Sequence, residues 1–182
     1  MKLSTRLTTA AVAASITIAL VACSSAAVAP SSLVETKSPT QLLRNEAAHR
    51  LMAGTDEEVA EQADYSAACK TEKDDPKGLY RSWRSTLLAT VPSDSAIGVD
   101  QFVGALATSF AEDGWVLKES RGERSADKVS TMSKTGSVAV LKFTSTEDTG
   151  EGATILIESS GPCVLTAGSD SDEVRDLENQ PE

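Results

Sequence analysis

From residue 79 onward, one helix-like apolar pattern lies among several strand-like ones, and this order is the feature that most constrains the fold. Apolar residues stand at positions i, i+3, i+4, i+7 and i+11 of one helical face; they are Val99, Phe102, Val103, Leu106 and Phe110. Segments with strand-like alternation lie before and after this helix, at residues 79–91, 115–119, 128–133, 137–144 and 153–159. The turn Lys134-Thr135-Gly136 joins the strand at residues 128–133 to the strand at 137–144. The sequence therefore predicts an α+β fold, with one helix packed on an antiparallel sheet of about four to five strands.

An N-terminal helical segment is predicted ahead of the first strand. Ser38-Pro39 is typical of a helix start, and the apolar residues that follow at helical spacing are Leu42, Leu43, Ala47 and Leu51. Thr55-Asp56-Glu57-Glu58 has the pattern of a capping box. Val59, Ala63 and Ala67 would share one face of this second helix, which we expect to end at Cys69.

The strand around residue 140 has apolar side chains on both of its faces. Val138 and Val140 point to one face, whereas Ala139, Leu141 and Phe143 point to the other. We expect the helix at about residues 100–112 to cover one face and the helices before Cys69 to cover the other. A ligand is the alternative occupant for part of that second face.

The first 22 residues have the layout of an export signal. Lys2 and Arg6 precede an apolar stretch at residues 7–20, and small residues follow. Leu20-Val21-Ala22-Cys23 resembles the bacterial lipobox, which implies that Cys23 becomes a lipidated N-terminus. A membrane-spanning helix would need about 20 predominantly apolar residues, and this stretch is shorter. Cleavage after Ala27-Val28-Ala29 is a further alternative, which Pro30 directly after the cut disfavours.

Cys69 and Cys163 remain once Cys23 carries the lipid. An exported chain enters an oxidising compartment, so the sequence predicts one disulfide between them. The bond would close a loop of about 95 residues and stabilise the fold by about 4–5 kcal/mol in the chain-entropy model. A closed zinc site would need four cysteine or histidine ligands, and His49 is the only histidine.

The charge and composition of the chain limit its partners and set its domain boundaries. Its 17 basic and 27 acidic residues give a net charge of −10. The signal holds two of the basic residues and none of the acidic ones. The mature chain therefore keeps 15 basic and 27 acidic residues and has a net charge of −12. Nucleic acid and anionic headgroups would be repelled. We predict a lipoprotein signal peptide at residues 1–22, a Ser-rich tether at 23–37, a single α+β domain at 38–167 and an acidic disordered tail at 168–182.

None of the residues able to perform chemistry forms a catalytic or metal-binding pattern. His49 has no marked nucleophile such as Gly-x-Ser-x-Gly, and the paired carboxylates lie in polar surroundings rather than against an apolar wall. Ser169-Asp170-Ser171-Asp172-Glu173 lacks the glycine and the closing glutamate of a calcium loop. Trp83 and Trp115 fall on apolar strand positions and are expected in the core. We therefore predict no enzymatic activity, no metal and no cofactor.

The lipobox, the Ser-rich tether, the cysteine pair and the run from Val99 to Trp115 together resemble the small uncharacterised lipoproteins of high-G+C Gram-positive bacteria. This resemblance implies a lipid-anchored protein on the extracytoplasmic face of the cell membrane and brings no catalytic residue with it. We expect a non-enzymatic module that binds another envelope component or protein. The alternative is a carrier that encloses an apolar ligand such as a lipid in a cleft of about 300 Å³ or more.

Overall fold

The part of the chain that the structure describes folds into three helices and seven strands. The structure is a computed structural model that describes residues 32–52, 59–92, 98–121, 127–148 and 152–180. The helices are α1 (Leu33–Met52), α2 (Val99–Glu112) and α3 (Asp172–Glu178). The strands are β1 (Val59–Ala68), β2 (Tyr80–Pro92), β3 (Val116–Arg121), β4 (Asp127–Ser133), β5 (Val140–Asp148), β6 (Gly152–Ser160) and β7 (Val164–Leu165).

The strands form one antiparallel sheet in the order β1-β2-β6-β5-β4-β3, and the short β7 pairs with the start of β2. β3 to β6 follow one another as hairpins, with Gly136 at a φ of 83° in the turn between β4 and β5. The predicted α+β class and the antiparallel sheet are confirmed. The sheet has more than the predicted four to five strands because β1 and β7 were not recognised in the sequence.

The helices pack on one face of the sheet and enclose the core there. α1 lies across β2 and β6, and α2 lies across β5 and β6. Phe102, Leu106 and Phe110 of α2 are buried against Leu141, Phe143, Ile155 and Ile157 of the sheet. This confirms the predicted helical stripe. Trp83 and Trp115 are buried as predicted, and the ring of Trp115 meets Phe110 edge to face.

The second predicted helix is wrong, because residues 59–68 form β1 and pair along β2. Ala63 and Ala67 are four residues apart, which is an even number, and they pair with Thr86 and Ser82 on one side of β2. That spacing fits one face of a strand as well as one face of a helix. The local capping signal at residues 55–58 lies outside the described residues, and pairing with β2 decides the conformation of residues 59–68.

The predicted boundary between tether and domain is also wrong, because α1 begins at Leu33 and contains Pro39 within it. The backbone N–H of Glu35 donates to Ser32 Oγ at 3.4 Å, and the N–H of Ser32 donates to Glu35 Oε2 at 3.3 Å. This reciprocal pair is a capping box. Leu33 is fully buried beside Trp83, which holds the first turn on the sheet.

The acidic tail is not disordered over residues 168–180. Ser171 accepts a hydrogen bond from the N–H of Val174 and begins α3. Val174 and Leu177 are buried with Leu33, Trp83 and Val164 in a second apolar cluster. Two apolar residues three positions apart are enough to dock this short helix, because the cluster they complete is already formed by the sheet and α1.

The predicted disulfide is confirmed between Cys69 and Cys163, whose Cα atoms are 5.9 Å apart. Cys69 directly follows β1, and Cys163 lies between β6 and β7. The bond therefore joins the end of an edge strand to the segment after β6, and not a helix to the sheet as the sequence suggested.

Candidate functional site

The face of the sheet opposite the helices is not covered by any helix of the described chain. The expectation that helices would cover both faces is wrong, because α1 and α2 contact each other on the same face. Side chains alternate along a strand, so the residues between the core positions point to this second side. We call it the open face, formed by Arg84, Thr86, Leu88, Thr90, Val129, Thr131, Val140, Lys142, Thr144, Thr146, Thr154, Leu156, Glu158 and Ser160 of β2, β4, β5 and β6.

The strand register arranges the open face in levels that run across the sheet. The outermost level is hydroxylic, with Thr90, Thr154 and Thr146 on neighbouring strands. The next level is mainly apolar and runs through Leu88, Leu156, Thr144 and Val129. The third level runs through Thr86, Glu158, Lys142 and Thr131. An apolar band thus lies between a row of hydroxyls and a row that carries charge.

The open face has few charged side chains, and those of opposite sign lie next to each other. Glu158 lies directly opposite Lys142 on the neighbouring strand and accepts from Arg84 Nη1 at 3.4 Å. The Glu158 side chain is only 13% exposed, and that of Arg84 is 33% exposed. Among the side chains that the structure describes on these four strands, the open face has two cations and one anion, and Glu61 of the neighbouring β1 points to the same side opposite Leu88, in a chain of net charge −10. A second acidic body would therefore be repelled less strongly here than elsewhere.

The two edges of the sheet are less suited to recognition than its face. The register of β1 against β2 shifts between Val59 and Glu61, and that of β3 against β4 shifts between Leu117 and Glu119. Such bulges bend an edge strand and interfere with the pairing of a further strand. The face of the sheet is consequently the better docking surface.

A cleft of about 590 Å³ lies between α1 and the turn from β4 to β5. Leu42, Leu43 and Trp115 supply its apolar part, and Glu46 and Asp113 are at its rim. Arg50 donates to both of these carboxylates. The hydrogen bond from Arg50 lowers the pKa of Asp113 below its ordinary value, and the positive charge of Arg50 adds to the effect. Asp113 therefore acts as an ion-pair partner and not as a proton donor.

A second cleft, of about 420 Å³, lies between the C-terminal half of α1 and α2. Its lining is mostly apolar, with Leu51, Phe102, Ala105 and Leu106, and His49 stands at its border. The His49 side chain is exposed to solvent. This cleft offers space for an apolar group but contains no nucleophile paired with the histidine.

A polar cluster, which sequence reasoning missed, is buried beneath α1. Arg44 Nη1 donates to Asp64 Oδ2 at 3.1 Å, and their side chains are 2% and 10% exposed. Ser85 donates to the other carboxylate oxygen of Asp64 and lies 3.3 Å from Thr40 Oγ1. With both oxygens of Asp64 engaged and no imidazole present, the cluster positions α1 on β1 and β2 and does not activate Ser85.

The other residues singled out in the sequence are Cys23 and the acidic run at 169–173. Cys23 and its lipobox lie outside the described residues. Residues 169–173, which faintly resemble a calcium loop, include the N-cap and the first residues of α3. Within the described ranges no three cysteine, histidine or carboxylate side chains come together as metal ligands, and no helix there is long and apolar enough to cross a bilayer.

Comparison with known proteins does not assign this chain to a family. No protein-family model matches the chain, and neither a curated protein nor a solved structure matches it.

Proposed function

We propose that this protein is a membrane-anchored extracytoplasmic lipoprotein, acylated at Cys23, whose domain is a non-enzymatic binding module. The open face is the surface that meets its partner. The observation that carries this proposal is the placement of all three helices on one side of the sheet. The other side presents an apolar band with flanking hydroxyls that no described helix covers, and a partner that packs there would remove this apolar area from water.

The position of α1 supports a role close to the membrane. Ten residues, from Cys23 to Ser32, precede the helix. Fully extended they reach at most about 35 Å. The described chain therefore begins on the helical side of the sheet, where Leu33 packs beside Trp83, and not on the open face.

The anchor is tested by Cys23→Ala. The native protein should enter the membrane and detergent phases, because each buried methylene of its acyl chains contributes about 0.8 kcal/mol. The variant should accumulate as an unlipidated precursor. Equal membrane association of both proteins, with no difference in N-terminal mass, would refute lipidation at Cys23.

The binding surface is tested by photocrosslinking in intact membranes. A benzophenone amino acid at Thr144, in the middle of the open face, should give a defined adduct. The same amino acid at Thr108, exposed on α2, is the matched control and should not give that adduct. If Thr144 gives no adduct, the open face is not the binding surface.

The second cleft favours one alternative, a carrier of an apolar ligand. Its volume of about 420 Å³ lies within the range of small-molecule sites. A fluorescent fatty acid should then bind the native protein, and Ala105→Phe should abolish binding by filling the cleft. Absence of binding to the native protein would dismiss this alternative.

A further inference from the structure

The open face is complementary to itself. Consider a two-fold axis that runs parallel to the strands, midway between β5 and β6. A second copy that is rotated about this two-fold axis stacks its open face on the first, with β6 of one copy over β5 of the other and β2 over β4. Glu158 then faces Lys142, Leu88 faces Val129, and Thr86 faces Thr131, each of them twice. In these three pairs opposite charges, apolar side chains and hydroxyls meet, while Leu156 faces Thr144, and each contact occurs twice, as in any isologous interface.

From this complementarity, and resting on the binding surface proposed above, we infer that the partner of the open face is a second copy of this chain. The two sheets stack face to face in the aligned manner, about 10 Å apart. The charged level fixes the register of the two copies, since Glu158 and Lys142 exchange partners across the axis.

The position of the N-terminus agrees with this particular axis. The first turn of α1 packs near Trp83 and Val164, where β2 begins and β6 ends. A rotation about an axis parallel to the strands leaves each group at the same height along that axis. Both copies therefore present Leu33 at the same end, and both lipid anchors can enter one membrane. An in-plane axis perpendicular to the strands would place the anchors at opposite ends.

The area of the open face is small, so we expect the dimer to be weak. At the usual strand spacing, the four central strands and the levels of the open face cover about 500 Å² on each copy. Two copies bury about 1,000 Å² together, at the lower limit of specific interfaces. Anchoring in one membrane raises the effective concentration of the copies and compensates for the small area.

The contact is tested by zero-length crosslinking of the full-length lipidated protein in detergent. Equal amounts of unlabelled and ¹⁵N-labelled protein are mixed and treated with a carbodiimide, which joins an amine to a carboxylate. Lys142 and Glu158 can also be joined within one copy, because they are neighbours in the sheet. Only a crosslinked peptide with one labelled and one unlabelled half reports the dimer, and we expect to find it. Its absence overturns the inference.

Charge variants test the register, with dimerisation measured by sedimentation and folding by thermal unfolding. Lys142→Glu should weaken the dimer at least about tenfold, because two pairs of like charges then meet. The double exchange Lys142→Glu with Glu158→Lys, made together with Arg84→Glu so that the ion pair between positions 84 and 158 is kept with reversed charges, should restore it. Lys134→Glu makes the same change in net charge on the turn after β4 and should leave dimerisation unchanged. Thr144→Arg, which blocks the face without altering the ion pair, should abolish it. Failure of the double exchange to restore the dimer contradicts the proposed axis.

The crosslink at Thr144 separates this inference from the proposed function. An adduct of twice the mass of the chain supports the dimer. An adduct with a different protein, together with a monomer in sedimentation, overturns the dimer and keeps the binding surface. With no adduct, both proposals fall.

Discussion

Gly161→Ala should destabilise the protein, because α1 packs against this glycine with no room for a methyl group. A Cβ at position 161 would lie 2.8 Å from Thr36 Cβ, whereas ordinary contact begins at 3.4 Å. The helix or the segment after β6 must therefore move by about 0.6 Å. Overpacking of this kind costs about 1–3 kcal/mol, which lowers the melting midpoint of a chain of this size by about 2–12 °C.

The matched control is Gly104→Ala on the exposed side of α2. A Cβ there meets nothing within 4 Å, so alanine should stabilise the helix by about 0.5–1 kcal/mol. The same substitution thus has opposite signs at two positions, as followed by circular dichroism on heating. Adding Thr36→Ser should not rescue Gly161→Ala, because serine keeps the Cβ that clashes. If Gly161→Ala melts at or above the native midpoint, the close approach of α1 is refuted.

Three further predictions concern the disulfide, α3 and Asp113. Replacing Cys69 and Cys163 together by serine should lower the free energy of unfolding in urea by about 2–5 kcal/mol, and two reactive thiols in the native exported protein would contradict the bond. Leu177→Ala should cost about 2–5 kcal/mol, because its side chain completes a buried cluster; an unchanged urea midpoint would mean that α3 does not dock. Asp113→Asn should be less stable than the native protein at pH 7, because the hydrogen bond from Arg50 lowers the folded pKa of the carboxyl below 3.8. That contribution is complete above the unfolded pKa and is lost as the pH falls through the folded one, so a stability difference that persists undiminished at about pH 2 would refute it.

The elements that the sequence predicted correctly are those with a pronounced and unambiguous period. The stripe of α2 has neighbours at both i+3 and i+4, which only a helix places on one face. The residues of β2 alternate between buried and less buried along most of the strand. The cysteine pair was predicted from the compartment and not from periodicity.

The errors occur where local pattern is ambiguous or tertiary contacts dominate. The inner face of α1 has Thr36, Thr40 and Arg44 among its buried residues, so no apolar stripe marks the beginning of the helix. The two-sided apolar pattern of β5 predicts a cover on each face, and a single strand does not reveal that both helices lie on the same side. The ion pairs of Arg44 with Asp64 and of Arg50 with Asp113 join residues that are 20 and 63 positions apart, and nothing in the local sequence points to either.

In the proposed lipoprotein, a mechanical pull on the anchor enters the domain at the first turn of α1. Thr36 lies against Gly161 there, and Lys37 Nζ donates to the carbonyl oxygen of Leu177 at 2.7 Å. These contacts connect the turn to the segment after β6 and to α3, and the disulfide ties that segment to β1. A force applied at the N-terminus is therefore shared between the first turn of α1, the segment after β6 and the C-terminal helix α3, which all meet in the cluster around Leu33 and Trp83.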